Sequence, residues 1–396
     1  KRQDILYIGV VAPETGEYAS NGKEMREGIQ LYMDELNRKG GLKGKKVQQI
    51  IRDDKNDPKR AAEIAQDLAE NSKVLLVLGH YSSDASTAAG EQYKKFGLPA
   101  ITSSATKKEV TNENNWYFAT TVSTDMQAEL LATYLNKLLK HKKVLLIGEK
   151  GNVWAESVAE SFIKACEELN FNIGNKWSFD SKNEKAEVDK RIDDIINEIW
   201  TDWTADDELP AVFIAASSSY GADIAASLRY KEDKFTVVGA DSFSTKNFID
   251  QLAENPVEQA SPGYYSEGIY TVSPLAIEVS GRAEQEFTEQ YKENNNNDKE
   301  PSWVAVGYHE AARMGIEAIK QVDLQGDLKK DREKIRKELT SMLEDSDARF
   351  TTVSRYNKDP QLEPVRKQLQ LLFEKTDRKK LHKSLTEGRF YRIGEQ

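Results

Sequence analysis

The sequence predicts an α/β chain of two lobes, each built on a parallel-core sheet, and three observations carry that prediction. The chain has 396 residues, more than one hydrophobic core usually serves, so two domains are expected. Short apolar runs alternate with stretches of helical periodicity, which is the βαβ grammar of a sheet covered on both faces. After residue 121 the alternation starts again, and this sets a second such unit behind the first.

Taken in order, the first strand is expected at residues 5–11. The helix after it carries Met25, Ile29, Tyr32, Met33 and Leu36 on one face, the 3.6-residue period of a helix laid on a core. Gly40-Gly41 supplies its left-handed cap. Further strands are expected at 47–51, 74–78 and 98–102, with helices near 59–70 and 84–96 between them. After residues 116–121 the second lobe begins with a helix near 125–140, a strand at 143–147, a helix at 154–169, a strand at 211–215, a helix near 222–230 and a strand at 235–239. Beyond Ser261 the pattern changes to a helix over 280–292, a polar loop at 294–298, and a helix carrying Val304, Tyr308, Ala311, Ala312 and Gly315 that returns to the first lobe. The stretch 350–396 is charged and broken by Pro360 and Pro364, yet Leu369, Leu371, Leu372 and Phe373 need burial, and the second lobe is where it is expected to pack.

Composition excludes several classes of function. A formal charge of -10 argues against nucleic acid, whose binding needs clustered Lys and Arg to neutralise phosphates. No apolar run approaches the roughly 20 residues that span a bilayer. Cys166 is the only cysteine and falls on the apolar face of an expected helix with Val158, Phe162, Ile163 and Leu169. It reads as a small core hydrophobe, with no disulfide or thiolate cluster to join. Lys1 leads almost directly into the first strand without Met, so the expectation is a mature form whose export signal has been removed.

Several motifs fail on inspection. Asp53-Asp54-Lys55-Asn56-Asp57 begins like an EF-hand, but Pro58 stands where glycine is required and Ile64 where glutamate belongs. A strand-to-turn loop is the better reading. Gly40-Gly41-Leu42-Lys43-Gly44-Lys45 lacks the spacing of a phosphate-cradling loop. Gly263-Tyr264-Tyr265-Ser266-Glu267-Gly268 puts Tyr264 where a nucleophile elbow does not have it. His309-Glu310 has no second histidine at zinc spacing, and His80, His141 and His382 fall in unrelated contexts. Neither a metal nor a cofactor is expected.

What remains follows the strands. In open parallel sheets ligands bind beyond the carboxyl ends of the strands. After 74–78 comes Gly79-His80-Tyr81-Ser82-Ser83 and then a helix, so the Ser83 hydroxyl meets the positive end of a helix, which suits a carboxylate. After 98–102 comes Ser103-Ser104-Ala105-Thr106, with the Ala105 carbonyl able to accept from an ammonium and Thr106 to donate to a carboxylate. After 235–239 comes Ala240-Asp241-Ser242, a carboxylate that can pair with an ammonium. Each has a plainer alternative: Ser83 and Thr106 as helix caps, and Asp241 as the cap of the helix before Phe248.

Gly40-Gly41-Leu42-Lys43-Gly44, Asp53-Asp54-Lys55-Asn56-Asp57-Pro58, Gly79-His80-Tyr81-Ser82-Ser83 and Ala105-Thr106-Lys107-Lys108-Glu109, in this order and spacing, resemble the type I periplasmic binding proteins of the leucine/isoleucine/valine-binding kind, from about Ile5 to about Ala318. The resemblance implies two Rossmann-like lobes joined by a three-crossover hinge, with residues 1–121 plus about 274–348 in lobe I and about 122–273 plus about 349–396 in lobe II. It implies an amino-acid-like ligand in the inter-lobe cleft, its carboxylate and amine held by Ser83, Ala105 and Thr106, with Ser104 alongside, and its amine met by Asp241.

At the side-chain pocket this chain departs from relatives that have Tyr-Gly where it has Val153-Trp154. Trp154 is read as a replacement lid or as core. Tyr81 lies beside the ligand in this alignment or simply packs, and Tyr18 or Asn21 reaches in from the first loop. The aromatic expected near Ser217-Ser218 is missing, with Tyr220 close by. The implied role is binding without catalysis in a periplasmic or extracellular setting, with a membrane anchor left open. The partner is an ABC transporter permease, or the signalling domain of a receptor such as a histidine kinase. A secreted α/β hydrolase or transferase is the third reading.

Overall fold

The computed structural model describes residues 5–71, 73–112, 114–121, 123–202, 209–229, 235–266, 269–273, 282–294, 301–344 and 389–392. The chain divides into two compact units, Lys1–Thr121 with Ala276–Pro360 and Val122–Leu275 with Gln361–Gln396, so it passes between them three times.

The first unit opens with β1 (Ile5–Ala12), α1 (Ala19–Arg38), β2 (Lys46–Asp53), α2 (Pro58–Asn71), β3 (Val74–Leu78), α3 (Ser83–Phe96), β4 (Ala100–Thr102), α4 (Glu109–Asn112) and β5 (Tyr117–Ala119). All pairings are parallel and the order is β2-β1-β3-β4-β5. Every residue of β3 is buried, as a central strand covered on both faces requires. One cover is α2 and α3, whose Ala61, Ala65, Leu68, Ala85, Ala89 and Tyr93 form a cluster with Val74 and Val77. The α1 helix ends at Gly40 and Gly41, both at positive φ (101° and 75°), with the Gly41 amide bonded to the Leu36 carbonyl at 2.9 Å.

The second unit runs α5 (Thr124–Thr133), β6 (Lys143–Lys150), α6 (Val153–Glu168), β7 (Asn172–Asp180), α7 (Lys185–Thr201), β8 (Ala211–Ala215), α8 (Ser218–Leu228), β9 (Thr236–Gly239), α9 (Lys246–Ala253), α10 (Pro256–Ala260) and β10 (Ile269–Ser273). Its sheet has the order β11-β10-β9-β8-β6-β7, parallel except for β11 (Arg389–Arg392), which runs antiparallel to β10. Alternation along the strands builds two cores. Leu145, Ile147, Val212 and Ile214 pack on one face with α7 and α8, while Val144, Leu146, Ala211 and Phe213 pack on the other with α5 and α6, including Cys166.

The chain returns to the first unit through α11 (Arg282–Asn294), α12 (Trp303–Gln321) and α13 (Leu328–Glu344). The α12 helix packs on α1, β3 and β4; Gly28 of α1 lies against the Ala305 carbonyl and Gly315 of α12 against Leu76. Among the described residues no helix is long and apolar enough to cross a membrane.

The structure corrects several element boundaries. The helix expected over 125–140 is α5 followed by a π-helical turn, Tyr134–Leu138. The sequence reading passed over β7, α7, β10 and α13. The strand expected at 98–102 is the three-residue β4, since Leu98 and Pro99 precede its ladder. Residues 280–281, 295–298 and most of 350–396 lie outside the described residues, so the packing expected of Leu369, Leu371, Leu372 and Phe373 does too. Asn294, expected to begin the polar loop, is the last residue of α11.

Candidate functional site

In the first unit the carboxyl ends of β3 and β4 are tied together by side chains of the loops that follow them. Beyond β3 the backbone turns at Gly79, with φ +137°, where a Cβ would sit 2.2 Å from the Val11 carbonyl oxygen; only glycine fits. His80 is fully buried. Its Nδ1 lies 2.6 Å from Asp54 Oδ2 and its Nε2 lies 2.9 Å from the Tyr93 hydroxyl. The Tyr117 hydroxyl accepts from the His80 amide and donates to the Gly79 carbonyl, both at 2.8 Å. Burial keeps these phenols protonated, pushing Tyr93 and Tyr117 well above the ordinary tyrosine value.

Ser82 caps α3, accepting from the Ala85 amide at 3.2 Å. Ser83 is therefore the first helical residue and not the cap. It is 1% exposed, and its hydroxyl oxygen accepts from the Lys107 amide at 3.2 Å. This contact joins the two loops, and an oxygen that accepts is polarised to donate.

A cluster of hydroxyls fixes the loop after β4. Thr102 Oγ1 donates to the His80 carbonyl at 3.0 Å and accepts from the Ser104 and Ala105 amides at 3.3 and 3.1 Å. Ser104 Oγ donates to the Tyr81 carbonyl at 2.7 Å and lies 2.9 Å from the Tyr308 hydroxyl. Ser104 is thus engaged within the protein. Ala105 and Thr106 are buried, Ala105 against the apolar cluster of α2 and α3. Tyr18 and Tyr81, both half-buried, stand with ring centroids 5.8 Å apart. Asn21, in the first turns of α1, is buried and neither amide atom has a hydrogen-bond partner. The structure therefore brings Ser83, Ser104, Ala105, Thr106, Tyr81 and Tyr18 to one end of this sheet.

Asp241 and Trp154 belong to the second unit. Asp241 follows β9 as the first residue of a 3-10 turn, Asp241–Ser244, and is 4% exposed. Gln127 of α5 holds it twice, donating from Nε2 to Oδ2 at 2.9 Å and accepting from the Asp241 amide at 3.1 Å. Thr245, not Asp241, caps the helix before Phe248. Trp154 is half-buried on α6, against the core that contains Phe162 and Phe213. Tyr220 packs edge-on to Phe179 at 5.1 Å. Glu149, at the end of β6, is buried and accepts from the Ser217 amide at 2.6 Å. Gln127, Glu149, Tyr308 and the Asp54–His80 pair were missed in the sequence. For His80 a signal existed, a histidine two residues beyond an apolar strand; for the others the partner is remote. Among the described residues no group of three His, Cys, Asp or Glu is placed to hold a metal ion.

Residues 6–187 match the family described as periplasmic binding protein. Over 157 residues the chain is 32% identical to an amino acid binding protein of Pseudomonas aeruginosa, covering 39% of this chain and 42% of that one. Over 158 residues it is 30% identical to a Leu/Ile/Val-binding protein of Rhizobium johnstonii, covering 40% and 42%. The matched stretch thus spans less than half the length of these relatives. Among solved structures, a branched-chain amino acid transporter substrate binding protein from Streptococcus pneumoniae, in complex with isoleucine, superposes with a TM-score of 0.71 at 24% identity over 86% of this chain and 88% of that one. A leucine binding protein from Thermotoga maritima gives 0.70 at 21%, over 84% and 87%. A solute binding protein of an ABC transporter from R. palustris, in complex with benzoate, gives 0.66 at 18%, over 85% of each. Residues 6–187 therefore resemble the periplasmic binding protein family, and the chain carries the fold of the solute-binding structures it matches.

Proposed function

We propose that this chain is an extracytoplasmic solute-binding protein that takes up an amino acid or close analogue and presents it to an ABC transporter permease. The observation that carries the reading is the join at the ends of β3 and β4: Ser83 accepts from the Lys107 amide, so its own proton can serve a carboxylate. Isoleucine, leucine and benzoate, named with the neighbouring structures, share a carboxylate but not an ammonium, so Asp241 is the residue that decides for an amino acid. Its carboxylate, oriented by Gln127, is the counter-charge for the ammonium.

The mechanism is binding without bond-making. The ligand carboxylate docks at Ser83, and Asp241 supplies the counter-charge for its ammonium.

The test is a thermal-shift screen of amino acids, amides and small carboxylates on chain that has been unfolded and refolded to strip carried-over ligand. Ligand at about 100 times its Kd adds about 2.7 kcal/mol to apparent stability. The expected result is a shift with at least one amino acid and a smaller shift with its analogue lacking the amine. A panel in which no compound shifts the midpoint refutes the proposal.

A further inference from the structure

We infer that Tyr308 is a positioning residue for the carboxylate site: one phenol oxygen on α12 fixes the spacing between the loop after β3 and the loop after β4. This rests on the ligand reading above and extends it to a residue more than two hundred positions away in the chain.

The Tyr308 ring is fully buried, and burial pushes its hydroxyl up to about 12, so it keeps its proton at neutral pH. That hydroxyl lies 2.8 Å from the His80 carbonyl, 2.9 Å from Ser104 Oγ and 3.3 Å from Thr102 Oγ1. Four hydroxyls serve the carbonyls of His80 and Tyr81: Thr102, Ser104 and Tyr308 and, at a longer 3.4 Å, Ser86. Thr102 donates to His80, Ser104 donates to Tyr81, and the Tyr308 proton closes the set toward His80 or Ser104. Of these, Tyr308 alone comes from outside the first 121 residues and reaches both loops. The neighbouring residue shows how tightly the helix is seated: a Cβ on Gly307 would lie 2.3 Å from Ser103 Oγ. The α12 helix therefore presses on the second loop at Gly307 and bonds to both loops at Tyr308. Ser83 and Thr106 stand a few residues beyond these anchors.

Tyr308→Phe removes the oxygen and keeps the ring, so the helix stays packed. In the full chain, hydrogen exchange of peptides covering 79–87 and 102–107 is expected to quicken about tenfold, while peptides of α2 and α13 exchange as before. Affinity for isoleucine, measured by calorimetry, is expected to fall about tenfold. Ser104→Ala produces a similar fall, and the double variant loses little more, because the two act as one set. A purely structural tyrosine gives a different pattern, a lower thermal midpoint with unchanged isoleucine affinity and unchanged exchange in both loops, and that pattern overturns the inference. If the wild-type chain binds no amino acid, the ligand reading has failed, and the exchange of the two loops alone decides the role of Tyr308.

Discussion

Replacing Asp54 by alanine tests how the loop that carries Ser83 is held. Asp54 and His80 are both fully buried. The carboxylate reaches His80 Nδ1 through Oδ2 at 2.6 Å and accepts from the Asn56 amide through Oδ1 at 2.9 Å. Truncation leaves the buried His80 ring and the half-buried Asn56 amide without these acceptors. Each such group costs about 1–3 kcal/mol, and breaking one side of a buried pair costs about 3–5 kcal/mol, so about 3–5 kcal/mol is expected for Asp54→Ala. Asp54→Asn, which keeps the shape and one acceptor oxygen, is expected to lose about half as much. The two units need not unfold together, so a single melting curve is a poor gauge; hydrogen exchange of β3 and α3 peptides reads the local loss directly. The expected acceleration is roughly a hundred- to a few thousandfold, at about 1.4 kcal/mol per decade. Acceleration below about tenfold, or equal acceleration in α7 and β8, refutes the assignment of this pair as the anchor of the loop.

Three further outcomes follow from particular contacts. Gly28→Ala gains about 1 kcal/mol of helix propensity, but the new Cβ would sit 2.0 Å from the Ala305 carbonyl oxygen; overpacking of about 1–3 kcal/mol wins, and urea unfolding followed in the first unit shows a less stable protein. Arg332 donates to the Val74 and Ala69 carbonyls at 2.8 Å each, and although burial pushes it down to about 10 it remains a cation at neutral pH. Arg332→Leu keeps the stem and orphans those carbonyls, for a loss of about 2–4 kcal/mol in the same assay. For Glu258, burial opposes the charge, but bonds from Ser266 Oγ and the Tyr265, Gly263 and Ser266 amides outweigh it and hold the carboxyl below its ordinary 4.5. A lowered acid stabilises above its unfolded value and loses that contribution as pH falls through the folded one. Exchange in the turn 261–266 therefore quickens below about pH 4.5, and Glu258→Gln flattens the profile.

The βαβ order was legible because central strands such as Ala211–Ala215 are apolar on both faces and cannot be anything exposed. The edge strand β7 was not, since NIGNKWSFD alternates polar and apolar residues as a half-covered strand does. Missing it hid α7, although Val188, Ile192, Ile195 and Ile199 carry a clear helical stripe. At the candidate site, positions after strand ends were readable, but caps were not: Ser82 rather than Ser83, and Thr245 rather than Asp241, follow from where each helix starts, which sequence places only to within a residue or two. The residues that orient the site were the least legible, because Gln127 is 114 positions from Asp241 and Tyr308 is 228 from His80, and no local pattern records such pairs.

The measurement closest to the central claim is calorimetric titration of the refolded chain with an amino acid selected by the thermal-shift screen, alongside Ser83→Ala. The account predicts one site per chain in the wild type and an affinity at least about tenfold weaker in the variant, which still folds. Equal affinity in both proteins would contradict it.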